Sequence, residues 1–157
     1  MSPPIRTRNA SIRSSATIAC AIALAACAGP VPTDLGVRDS RLAPCPASPN
    51  CVASDADDTE HAIAPLVFDG NADDAWRAAR EATAALPRTQ IVDEAPGYLR
   101  AESRSALFGF VDDLELQLRT DEGTIAVRSA SRVGYSDLGV NRGRVEALRS
   151  LFGHGLE

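Results

Sequence analysis

Three stretches between residues 99 and 133 alternate apolar or small residues with polar ones, which is the period of a half-buried strand. Leu99, Ala101, Ser103, Ser105 and Leu107 share one face of the first stretch, and Phe110, Asp112, Leu114, Leu116 and Leu118 one face of the second. Ile125, Val127, Ser129, Ser131 and Val133 do the same on the third. Turns are available at Phe108-Gly109 and at Thr120-Asp121-Glu122-Gly123. Hairpins closed there set Leu99, Leu118 and Ile125 in one cross-strand row, and Ser105, Asp112 and Ser131 in another near the opposite end. The apolar face therefore has a polar end. The other face sets Arg104 opposite Asp113 and Arg128 opposite Glu115, the pattern of a solvated charge ladder open to water.

Helical spacing flanks this region on both sides. Asn71 with Asp74 three residues on forms a capping arrangement, and Ala72, Ala75, Trp76, Ala79, Ala82, Thr83 and Leu86 recur on one face, with Trp76 as its anchor, until Pro87 ends the pattern. A last helix is written in residues 144–152, with Val145, Leu148, Leu151 and Phe152 on one side, Asn141 as its cap and Gly153 as its stop. Residues 63–68 and 89–94 add strands whose partners the pattern does not fix, and Pro65 confines the first to an edge or a start. The order of elements predicts an α+β domain: a curved antiparallel sheet of four to five strands with two helices packed on one face.

The first forty residues belong to none of this. Arg6, Arg8 and Arg13 precede an apolar run from Ala16 to Ala26 that is too short to span a bilayer and reads as the core of an export signal. Its end, Leu24-Ala25-Ala26-Cys27, resembles the lipobox of bacterial lipoprotein precursors. That resemblance implies a signal peptide over residues 1–26, lipidation of Cys27, and attachment to a membrane through that anchor. Ala28, rather than the aspartate that favours inner-membrane retention, follows the cysteine, which points to the periplasmic face of the outer membrane. Residues 27–43, with Gly29, Pro30, Pro32 and Gly36 and no period, read as a lipidated flexible tether, and residues 44–157 as the single domain.

Removing the signal leaves 13 Arg against 21 Asp plus Glu, a formal charge of −8, which argues against nucleic acid as a partner. There is no lysine, so Schiff-base and P-loop chemistry are excluded. Cys45 and Cys51 are the cysteines left after the signal and the anchor, and an exported chain favours a disulfide between them. A metal site using both with His61 is the rival, but their spacing fits no common zinc pattern, so the reading takes no metal and no cofactor.

From Cys45 to Phe152 the sequence resembles the domain-of-unknown-function family 1499, bacterial and plastid proteins without an established activity. The resemblance rests on CPASPNC at 45–51, FVDDLELQLR at 110–119 and RSASRVGYSDLGVNRGRVEALR at 128–149. It implies a compact domain and supplies no catalytic residues.

No nucleophile, base and orienting acid stand at a recognisable spacing, so no catalytic residue is assigned. The candidate polar or anion site is Ser105, Asp112 and Ser131 on the sheet with Asp137, Asn141, Arg142 and Arg144 at the start of the last helix. Arginines there oppose the helix dipole, so they either bind an anion with the first-turn N–H groups or neutralise Asp112 and Asp137. Two function classes follow. One is a non-catalytic module that binds an envelope protein or a small anionic or lipidic ligand; the other is a small hydrolase or transferase using Asp112 with Ser105, Ser131 and Arg142. An open pocket around these groups favours the second, and a closed hydrogen-bond network the first.

Overall fold

The computed structural model describes residues 28–156. Cys27 and the proposed signal peptide lie outside the described residues. In chain order the elements are β1 (Val37–Arg38), β2 (Arg41–Leu42), β3 (Cys51–Ala53), β4 (Leu66–Val67), α1 (Ala72–Ala85), β5 (Thr89–Ala95), β6 (Tyr98–Arg104), β7 (Val111–Arg119), β8 (Thr124–Ser131) and α2 (Val140–His154).

Strands β5 to β8 form the expected meander in a curved, largely antiparallel sheet of order β3-β8-β7-β6-β5, with β4 also paired to β8. That makes six strands, because β3, too short to show an alternation, adds to those the pattern announced. Both helices cover one face. Leu99, Leu114, Leu116, Ile125 and Val127 from the sheet join Val145, Leu148 and Phe152 of α2 in one core. Each fully buried Leu there contributes roughly 2 kcal/mol.

Asn71 caps α1 as expected, its side-chain oxygen accepting from Asp73 N at 2.8 Å and Asp74 N at 3.1 Å. The buried stripe of α1, however, is Ala75, Ala78, Ala79, Ala82 and Thr83, and Trp76 lies half-buried at its margin. Alanines let the helix come close to its neighbours, and the indole, too large for that gap, sits at its edge.

The second hairpin has the expected register, with Leu118 opposite Ile125 and Asp112 opposite Ser131. The first is displaced by two residues: Ser103, not Ser105, faces Asp112, and Leu99 faces Leu116. Its loop is six residues long rather than a tight turn at Phe108-Gly109. Ser105 closes it, donating from its N to Phe110 O at 2.9 Å and accepting at Oγ from Phe110 N at 3.0 Å. A shift of two preserves every face assignment.

The outward face is not open to water. Glu115 has 0% exposure and Asp113 1%. Residues 28–43, expected as a free tether, supply part of the cover: Gly36 N donates to Glu115 Oε1 at 2.7 Å, and Ser40 O accepts from Gln117 Nε2 at 3.1 Å. Leu42, in the β1-β2 hairpin, is buried and its N donates to Asp55 at 3.3 Å. Beneath this arm the charges are paired. Asp113 accepts from Arg100 at 3.0 Å and from Arg132 at 2.7 and 2.8 Å, and Glu115 accepts from Arg128 at 3.0 Å and Tyr98 at 2.9 Å. The pair Arg104–Asp113 does not form, because the two-residue shift sets Glu102 opposite Asp113.

Candidate functional site

The polar end of the helix-covered face is built around Asn141, which has no solvent exposure. Asn141 does not cap α2. Asp137 does: its carboxylate accepts from Gly139 N at 2.9 Å and Asn141 N at 2.8 Å, which satisfies orphan N–H groups of the first turn. Burial opposes the charge on Asp137, but these donors and the Asn141 amide outweigh it and hold the carboxyl below its ordinary range. Gly139, in the left-handed region at φ 82°, turns the chain into the helix.

Freed from capping, Asn141 uses both ends of its amide. Oδ1 accepts from Ser129 Oγ at 2.6 Å and Arg144 at 2.5 Å. Nδ2 faces Asp137 at 2.8 Å, Ser131 Oγ at 2.9 Å and Asn50 O at 3.0 Å. Arg144 donates besides to Ser129 Oγ at 2.9 Å and to Asp112 at 2.5 Å, so Asp112 has its counter-ion on α2. The disulfide joining Cys45 to Cys51, with Cα atoms 5.6 Å apart, closes the loop that brings in Asn50. Asn50 in turn donates from Nδ2 to Gly134 O at 2.7 Å.

Five of the seven sequence-derived residues therefore meet around Asn141: Asp112, Ser131, Asp137, Asn141 and Arg144. Ser105 is exposed in the β6-β7 loop. Arg142 points elsewhere, donating to Ala62 O and Glu60 O at 2.9 Å each, where it pins the acidic loop after β3. Ser129 and Asn50 complete the cluster. The serine already lay on the face of Asp112 in the strand pattern, whereas nothing in the sequence placed the Cys45–Cys51 loop against α2.

The members of the cluster are turned on one another: Asn141 and Ser129 have no exposure, and the side chains of Asp112 and Arg144 are about nine-tenths covered. A surface cavity of about 170 Å³ touches it only through Asp137, and is lined as well by Pro49, Val52, Glu60 and Arg142. Among the described residues no group of three or more His, Cys, Asp or Glu is arranged to hold a metal, and no helix is long and apolar enough to cross a membrane.

His61, the rival metal ligand, is buried, with Nδ1 2.8 Å from Asp58 and Nε2 3.3 Å from Ser48 O. Burial opposes its charge, yet both ring nitrogens face acceptors, so its pKa is raised above the ordinary value. The stability it contributes is thus complete below the unfolded-state value of about 6.5 and is lost as pH rises through the higher folded-state value. Urea unfolding of the wild type should show that decline across the neutral range, and His61→Gln should remove it. An equal slope in both proteins would reject the assignment.

These features define a class: a small α+β domain whose sheet carries ionic networks on both faces, one under two helices and one under an N-terminal arm. Residues 41–152 match the model of the family described as a protein of unknown function (DUF1499), and the chain belongs to that family. No curated protein and no solved structure matches it.

Proposed function

We propose that this chain is a lipoprotein held at the periplasmic face of the outer membrane through Cys27, and that its domain is a non-catalytic module engaging an envelope protein or a small anionic or lipidic ligand. The observation that carries the second half is the closure of the Asp112 cluster. Asp112 is ion-paired with Arg144, Ser129 and Ser131 are bonded to Asn141, and Arg142 and Ser105 lie outside the group. A hydrolase built on Asp112 would need that carboxylate within reach of substrate or water. Here it neutralises a guanidinium beneath a helix.

The first half rests on Leu24-Ala25-Ala26-Cys27 after an arginine-bearing apolar run. Cys27→Ser should abolish acylation and release the protein from the membrane fraction, and unchanged attachment overturns the anchor. For the module, Asp112→Asn expressed at wild-type level in a deletion strain should restore any envelope defect that the wild type restores. Loss of that rescue by a folded variant would revive the enzyme reading.

A further inference from the structure

We propose that the end of the sheet where β6 passes to β7 and β8 to α2 rests on the lipid bilayer, with its two loops set into the headgroup layer beside the anchor; this rests on the lipoprotein reading above. The described chain begins at that end. A Cβ built on Gly29 would lie 2.9 Å from Val133 Cγ1 and 3.0 Å from Arg132 Cβ, so this glycine is packed against the exit of β8. Two residues farther back is Cys27, at most about 7 Å away along the chain. An acylated Cys27 therefore sets this end at the membrane surface and leaves no long free tether.

The three most exposed large apolar side chains among the described residues lie at the same end. Leu107 is 81% exposed and Phe108 59% in the β6-β7 loop, while Tyr135 is 76% and Leu138 93% exposed before α2. Phe108 packs on Phe110 with ring centroids 5.6 Å apart, giving the first loop an aromatic tip. Leu138 also has φ 54°, a conformation L side chains rarely adopt, and its exposure brings the fold no compensating burial. Its placement suits an apolar environment outside the domain.

Charge is sorted along the same axis. Residues 105–110 contain no acid, the β8-α2 loop holds one, Asp137, whose carboxylate is engaged by Gly139 N and Asn141 N, and the exposed Arg88 and Arg104 lie beside the first loop, joined through Arg104 N to Arg88 O at 3.0 Å. The exposed Asp69, Asp121 and Glu122 are at the opposite end of the nine-residue β7. That length is about 30 Å, several Debye lengths, so the loops at this end of a net-negative domain meet anionic headgroups without repulsion from these acids. Apolar and aromatic residues with flanking arginines are the composition of an interfacial contact.

The test uses the mature protein acylated at Cys27 in vesicles of phosphatidylethanolamine and phosphatidylglycerol, with a tryptophan reporter at either end. Leu138→Trp should lose emission when the acyl chains are brominated, and Asp121→Trp should behave as the parent. Adding Leu107→Asp to the first variant should diminish the quenching while flotation with vesicles and circular dichroism stay unchanged. If acylated protein floats but Leu138→Trp is quenched no more than Asp121→Trp, the docking is wrong and the anchor stands. If the wild type is not acylated and does not float, both readings fall. A detergent-solubilised protein that sediments as a dimer, with Leu138→Trp emission shifting with protein concentration, would assign the surface to a second copy and overturn the proposal.

Discussion

Arg128→Met should destabilise the domain by about 3 kcal/mol, at the lower end of the 3–5 kcal/mol typical when one partner of a buried ion pair is removed. Glu115 has no solvent exposure, and the Arg128 side chain has 5%. Taking away the guanidinium leaves the carboxylate with Tyr98 and Gly36 N as donors and, among the described residues, with no partner charge in hydrogen-bond contact. The lower end is expected because Arg128 Nε is itself buried without a hydrogen-bond partner, so the variant also removes an unsatisfied group. Adding Glu115→Gln should recover much of the loss, since the amide oxygen still accepts from Tyr98 and Gly36 while the charge is gone. Urea unfolding of the two variants and the wild type measures both quantities. A single-variant loss below about 1 kcal/mol would place the pair in the range of solvated surface bridges and remove the claim that the N-terminal arm shields this face.

That shielding is what the strand pattern could not reveal. Alternation reports which residues share a face, and Asp113, Glu115 and Arg128 do share one, but charged residues look the same whether water or another segment lies over them. The arm's own sequence, with Gly36 and two prolines, carries no period, because its contacts are made chiefly by backbone groups such as Gly36 N and Ser40 O. The displaced first hairpin has a similar cause. Phe108-Gly109 is an acceptable turn, and nothing local distinguishes it from a six-residue loop closed by the Ser105 hydroxyl. At α2, Asn141 and Asp137 are both good capping residues. The choice between them was made by Ser129, Ser131 and Asn50, which offer an amide more partners than a helix start does. Asp112 was legible as a buried carboxylate needing a cation because its face was fixed by parity alone, and Arg144 was legible as one of two cations near it. Which arginine answers, and that Arg142 instead serves two carbonyls 80 and more residues away, depends on tertiary packing.

Asn141→Asp is the most discriminating change in this cluster, because it alters donors and charge while keeping shape. The oxygen that accepts from Ser129 and Arg144 is retained. The amide nitrogen becomes an oxygen facing Asp137 at 2.8 Å, Ser131 Oγ at 2.9 Å and Asn50 O at 3.0 Å. Only the serine hydroxyl can turn to donate; the Asp137 carboxylate and the carbonyl cannot. Arg144 offsets part of the new charge but is already engaged by Asp112 at 2.5 Å. Two lost donors and a second carboxylate against Asp137 should together destabilise by roughly 3–5 kcal/mol near neutral pH. The pH dependence follows from linkage. Burial and the Asp137 charge both raise the folded-state pKa of the new carboxyl above its unfolded value, so the folded state binds its proton more tightly. The deficit relative to wild type is therefore complete above that raised pKa, and narrows as pH falls through it, when a protonated carboxyl again offers a donor. Urea unfolding of both proteins from neutral to mildly acid pH reads this difference directly. A deficit under about 1 kcal/mol, or one that grows on acidification, would mean that the Asn141 amide is not the buried junction between α2, β8 and the disulfide loop.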